Sequence, residues 1–358
     1  MKRLLSICML PIGILIFLIG SYQPEIVEKI YSNGIFKILA QSISHVTSLV
    51  PFSIAEFVVF FFVIWIFYVT IKNVIKIVSE HQNRRENLLR FFLYILRLSG
   101  LIYLAFVLLW GLNYNRLPFA EIAGMNVQPA SVEELSKVCE NLIHRANHVR
   151  NKIFDNSEIM ILKNGKKEAL LRAEEGYKVA SQKYPQLSGS FGRPKPVLLS
   201  KPMSYTGIWG VYFAFTAEAN VNMAVPDSMI PNTIAHEMAH QRGFAREDEA
   251  NYIAYLVCTM HPDEDFQYSG LLLAVIHSMN SLYQYDRNEY NRLKTLYSPG
   301  IINDLTEINK FSQQHEGMIE EISSNINDAY LKANRQREGV HSYGRMVDLL
   351  IAEYRMKE

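Results

Sequence analysis

HEMAHQRGFAREDEAN, residues 236–251, is the stretch that decides how the folded part of this 358-residue chain is read. His236 and His240 stand four apart, so on a helix their side chains leave one face about a turn from each other and can reach one metal ion. Glu237 follows the first histidine, where its carboxylate reaches a water on the metal rather than the metal itself. This HExxH pattern points to hydrolysis in which Zn2+ brings the pKa of that water toward about 7 and Glu237 acts as general base. The flanks favour a helix over Ser228–Arg242. Asp227-Ser228 offers an N-cap, Pro231 falls in the first turn, and Gly243 stands where a left-handed residue ends the helix.

Catalytic zinc keeps three protein ligands and one open position, so a third donor is needed. Position 246 is arginine, which excludes the HExxHxxGxxH continuation. A second helix, Arg246–Met260, opens with Glu247, Asp248 and Glu249, which point about 100° apart. Glu247 shares a face with Ala250, Asn251, Ala254 and Cys258, small or polar side chains that let the two helices approach closely. It is the preferred ligand, with Glu249 as the competing choice. Asn251, one turn on, is placed to orient a histidine ligand.

The segment resembles the gluzincin metallopeptidases, in which HExxH is followed by a ligand glutamate and, four residues later, an aspartate. That resemblance implies His236, His240 and Glu247 as zinc ligands and Glu237 as the catalytic base. Asn251 stands where those peptidases carry aspartate. The whole chain is similar to a family of uncharacterised bacterial membrane proteins, the domain-of-unknown-function 3810 family. The similarity is carried by three N-terminal spans, WGLNYNR (110–116), GVYFAFTAEANVN (210–222), HEMAHQRG (236–243) and REDEAN (246–251).

Upstream, apolar residues crowd the first third of the chain. Leu4–Gly20, Ile54–Val69 and Phe91–Leu112 read as membrane spans. A cleaved signal is the alternative for the first, although Gly20-Ser21-Tyr22 makes a poor cleavage site. Arg97 interrupts the third run and is expected to snorkel toward the headgroups. Lys2, Arg3, Lys72, Lys76, Arg84, Arg85 and Arg90 mark the cytoplasmic side by the positive-inside rule. Ser21–Ser53 then faces outward and is expected to hold a short interfacial helix. Trp110 and Tyr114 suit the outer end of the third span. The expectation is a membrane region over 1–114 and an extracytoplasmic domain over 115–358, on the cytoplasmic membrane of a bacterium.

That domain reads as α+β and mainly helical, a zincin-like fold with a small sheet. Ser131 and Glu134 form a capping-box pattern for a helix to about Asn151, and a second helix covers Lys166–Tyr184. Gly189–Phe215 looks extended in short pieces, and Glu218–Val225 alternates like a strand with one exposed face. Further helices are expected over Asp263–Tyr285, over Asp304–Lys332 and from near Tyr343. If Glu218–Val225 is an edge strand beside the metal, Asn220 and Asn222 would line the cleft where an extended substrate pairs; the equal alternative is that they satisfy turns. His341 and Tyr343 are candidates to stabilise the oxyanion, whereas His277, among Leu, Val and Ile, reads as a structural histidine.

The remaining features narrow the function. A formal net charge of +1 gives no electrostatic case for nucleic acid. No G-x-S-x-G elbow or glycine-rich phosphate loop occurs. Three cysteines without a CxxC pair argue against a thiolate zinc site. Cys139 and Cys258 read as buried free thiols, a disulfide being the alternative. The leading expectation is a membrane-anchored zinc endopeptidase acting on protein or peptide. A non-catalytic zinc-binding sensor or scaffold, a structural metal domain and an amidase for cell-wall peptide are the alternatives. Glu237 favours chemistry, because a purely structural site needs no general base beside its ligand.

Overall fold

The computed structural model describes residues 8–153 and 158–357, apart from the side chains at 342 and 343. Its N-terminal part is helical: α1 (Met9–Ser21), α2 (Pro24–Thr47), α3 (Ile54–Ser79) and α4 (Arg84–Leu109). Among the described residues two segments are long and apolar enough to cross a membrane, α3 and the stretch His81–Leu109 that contains α4. Their outward surfaces are rich in Phe, Val and Ile. The 13 residues of α1 reach only about 20 Å at 1.5 Å each, short of a ~30 Å hydrocarbon core. It qualifies as a span only together with α2, from which it is bent by 100°. Lys2, Arg3 and the start of the expected Leu4–Gly20 span lie outside the described residues.

Several boundaries move. The second and third spans run to Ser79 and start at Arg84, because interfacial Lys and Arg continue the helices beyond the apolar core. The segment expected to hold one short interfacial helix is helical almost throughout and contains a π-helical stretch, Val27–Phe36. Arg97 sits at the middle of α4, half-buried and with Nε unpaired among the described residues, rather than near an end. α1 packs closely on α4: a Cβ on Gly100 would stand 3.0 Å from the main-chain nitrogen of Leu10.

The sheet has three strands, β1 (Lys195–Pro196), β2 (Gly210–Phe213) and β3 (Glu218–Val221), in the order β1-β3-β2. β1 runs parallel to β3 and β2 antiparallel to it. The strand expected at Glu218–Val225 is therefore shorter, central and fully buried, not an edge strand with an open face. The alternation is real, but both faces are covered. Ala219 and Val221 enter the main core. On the other face Glu218 accepts the main-chain N–H groups of Ile54 and Ala55 at 3.1 and 2.7 Å and the Thr216 hydroxyl at 2.8 Å, and it pairs with buried Lys195. The carboxylate thus caps the first turn of α3, where anions are favoured.

The rest is helical: α5 (Val132–Lys152), α6 (Lys166–Arg172), α7 (Glu174–Lys183), α8 (Ile230–Gln241), α9 (Glu247–Thr259), α10 (Glu264–Tyr285), α11 (Arg287–Lys294), α12 (Pro299–His315), α13 (Met318–Ala333) and α14 (Met346–Arg355). α5 begins with the expected capping box, both bonds present. The expected single helix over Asp304–Lys332 is two, broken at Glu316-Gly317, and α11 begins on an Asp286 cap that the sequence reading missed. The last helix starts at Met346 rather than near Tyr343. Asp227-Ser228 does not cap α8. A 3-10 turn intervenes, and Asp227 instead accepts the Leu162 N–H at 3.1 Å and pairs with Lys166. Cys139 and Cys258 are buried free thiols.

Removing the Glu218 carboxylate leaves Lys195 buried and uncompensated and uncaps α3. Glu218→Ala is expected to destabilise the protein by about 3 kcal/mol or more, read as a lowered thermal midpoint in detergent micelles, with Lys195→Met/Glu218→Met recovering part of the loss.

Candidate metal centre

α8 and α9 meet through a tight reversal. Gly243 takes φ +86°, the left-handed value that closes a helix, and its N–H bonds the His240 carbonyl at 2.8 Å. Phe244 N–H bonds the Ala239 carbonyl at 3.1 Å, and three residues later α9 opens with Glu247. The turn brings the first carboxylate of α9 over the face of α8 that carries both histidines.

His236 Nε2 lies 3.0 Å from His240 Nε2 and 3.1 Å from Glu247 Oε2, and His240 Nε2 lies 3.5 Å from the same oxygen. A tetrahedral ion with arms of about 2.1 Å needs donors about 3.4 Å apart, so this donor set fits zinc. His240 Nδ1 is 2.7 Å from the Phe244 carbonyl, which takes its N–H and leaves Nε2 as the lone-pair donor. Burial disfavours a charge on His240, but Glu247 and Glu237 outweigh it and raise its pKa to about 9. Burial would raise Glu247 too, yet the two histidines hold it well below the usual carboxylate range.

The other carboxylates separate by their partners. Glu249 is buried with Oε1 accepting the Phe119 N–H at 2.9 Å and an Arg246 N–H at 2.6 Å, a structural anchor. Glu237 is buried beside the donor cluster, and its Oε2 has no hydrogen-bond partner among the described residues. Burial pushes its pKa up, the two histidines lower it, and Glu247 raises it again.

Glu237 also faces an open strand edge. The Asn222 N–H bonds the Trp209 carbonyl, so the alternation of an antiparallel pair turns the main chains of Val211 and Phe213 toward β3. Those of Gly210 and Tyr212 turn away from the sheet, and the Tyr212 N–H faces Glu237, whose pKa it lowers slightly. A Cβ on Gly210 would stand 2.5 Å from Glu237 Oε1, so only glycine lets the strand pass this close. The edge strand beside the site is β2. Asn220 and Asn222 turn back to the Val211 and Ile208 carbonyls and do not line the cleft.

A cleft of ≈ 490 Å³ opens on His236 and Glu237, walled by Gly210, Asn251, His277 and, from α13, Ser323 and Asn327. His277 therefore looks into the cleft instead of the core. Burial, then His236, lowers its pKa to about 4, so at neutral pH it is a neutral imidazole with one N–H to donate. His341 is exposed, and its neighbour Val340 reaches the cleft. The Tyr343 side chain lies outside the described residues.

Other contributors left little trace in the sequence. Trp110, expected at the lipid interface, is buried and stands edge-on to the His240 ring at 5.8 Å and against Tyr212 at 4.7 Å. Gln336 Oε1 accepts the Glu247 N–H at 3.1 Å, a contact between distant segments that no local pattern announces. Arg116, fully buried, makes a two-pronged pair with Glu28 of α2 and lies 3.9 Å over the Phe244 ring, fixing the turn after α8 from below.

A family model described as a protein of unknown function (DUF3810) matches residues 31–351, so the chain belongs to that family. No curated protein and no solved structure matches the chain.

Two outcomes follow from this geometry. Glu247→Gln should weaken Zn2+ binding by more than about 100-fold, beyond the effect of outer partners, whereas Glu249→Gln keeps the metal and lowers the thermal midpoint; calorimetric titration and elemental analysis separate them. In the metal-free protein, His240 titrates higher folded than unfolded. Its stabilisation is full below about pH 6.5 and lost as pH rises through about 9. The thermal midpoint with chelator should fall over that window, and Zn2+, which needs the deprotonated imidazole, should stabilise most at its upper end.

Proposed function

We propose that this member of the DUF3810 family is a membrane-anchored, zinc-dependent peptidase, with His236, His240 and Glu247 as ligands and Glu237 as general base. The observation that carries the reading is Glu237: a buried carboxylate with one free oxygen, set between a three-donor cluster and an open strand edge. A binding or structural site has no use for such a group. When bound, Zn2+ would supply Lewis acidity, making a water acidic enough to ionise near neutral pH and polarising the scissile carbonyl.

The chain's own residues account for the rest. An extended peptide would add to the free edge of β2, its backbone pairing with Gly210 and its scissile bond beside Glu237. Glu237, its basicity raised by burial, takes the proton of the attacking water and returns it to the leaving amine. His277 lines the same cleft and would offer a neutral N–H donor to the negative charge that grows on the scissile carbonyl. Buried Asn251 borders the same space.

The basic residues Lys76, Arg84 and Arg85 stand at the α3–α4 turn, the end of the hairpin away from the sheet. By the positive-inside rule this supports a cleft on the outer face of the cytoplasmic membrane.

Glu237→Gln is expected to retain one Zn2+ and to lower turnover of an unbiased peptide library by about 10²–10⁴-fold, measured on the full chain in detergent or nanodiscs. Wild type that holds zinc but cleaves nothing, like the variant, would replace this reading with a zinc-binding sensor or scaffold.

A further inference from the structure

Helix α13 carries a face that catalysis does not use. Met318, Ile319, Ile322, Ile326 and Tyr330 form one stripe, roughly 120° wide at 100° per residue. All five are exposed, Ile319 to 61% and Ile326 to 66%. The adjoining face, Ser323, Ser324 and Asn327, borders the cleft. A third face carries Glu321, Asp328 and Lys332. A helix on a soluble surface turns its apolar stripe into the core, whereas this one turns it outward.

How the helix is mounted identifies what lies against the stripe. The Tyr330 ring lies 6.2 Å from Phe106, in the last turn of the spanning helix α4, and its hydroxyl accepts from that of Tyr114 at 3.0 Å. Two residues past α13, Arg335 bonds Asn115, just beyond the end of the same span. The stripe is thus continuous with the apolar surface of a membrane helix at its domain-side end. The other span repeats the arrangement. Leu198 and Leu199, exposed to 61% and 60%, are tied through their N–H groups to Glu56 in the first turn of α3. Two apolar patches therefore flank the domain-side ends of two spans, the depth at which hydrocarbon gives way to headgroups.

We propose that α13 is an interfacial helix seated in the bilayer leaflet nearest the domain. Its apolar stripe lies about 5–10 Å into the boundary between headgroups and acyl chains, and its polar flank forms the wall of the cleft. The lipid surface is the occupant. The inference rests on the mounting of the helix and stands whether or not the cleft hydrolyses peptides.

The test uses the full chain in nanodiscs with Cys8→Ser as background, since Cys139 and Cys258 are buried. The environment-sensitive fluorophore NBD is placed at Ile322→Cys or Ile326→Cys, and at His144→Cys on α5 as control. Phosphatidylcholine carrying a doxyl group high on its acyl chain should quench emission at 322 and 326 by about twofold or more, with a blue shift, and leave position 144 unchanged. Unshifted, unquenched emission at both test positions would overturn the proposal. So would blue-shifted emission without quenching, the signature of a second copy of the chain covering the stripe.

Discussion

The placement of this domain depends on one carboxylate. Glu218 lies in the central strand, accepts two main-chain N–H groups that begin α3, a helix long and apolar enough to cross a membrane, and pairs with a buried lysine from the neighbouring strand. Each partner would be costly to leave alone: the helix end exposes unpaired donors, and Lys195 carries a charge out of water. Meeting all three needs at one point welds α3 to the sheet. β2 pairs with that strand, and α8 packs on it, so the strand edge and the helix that carries His236, Glu237 and His240 are referenced to the same joint.

A second tie enters from the other span. Trp110 follows the last residue of α4 and packs against Tyr212 of the edge strand and His240 of the donor set. The membrane region and the site therefore share a small aromatic core, closed from beneath by Phe36, Tyr31 and the Arg116–Glu28 pair. Arginine suits this place because its planar guanidinium satisfies a carboxylate with one edge and stacks its face on Phe244. The apolar N-terminal helices thus supply part of the site's floor.

The donor set was legible in the sequence because it is local. A four-residue helical spacing, a glycine stop and a carboxylate at the head of the next helix fix His236, His240 and Glu247 within a few turns of chain. The choice of Glu247 over Glu249 rested on the size of the residues sharing its face, and the same packing brings it to the histidines while Glu249 turns to Arg246 and Phe119. What failed was non-local. Alternation marked Glu218–Val225 as a strand with one exposed face but could not tell that the strand stops at Val221 or that its polar face is covered by the start of α3. Trp110 and His277 were judged by their sequence neighbours, and both belong to surfaces assembled from segments more than a hundred residues apart. The break at Gly317 was missed because helical periodicity continues on either side of it.

Trp110 has one more consequence. Because His240 leans on the residue that follows a helix long and apolar enough to cross a membrane, the proposed metal centre would stand at a fixed height above the hydrocarbon of that membrane. A site held this way has a short vertical reach. On the proposed peptidase reading, it would sort proteins embedded in the same bilayer by the length of chain between their anchor and the segment that enters the cleft, a yardstick that operates before any side chain is read.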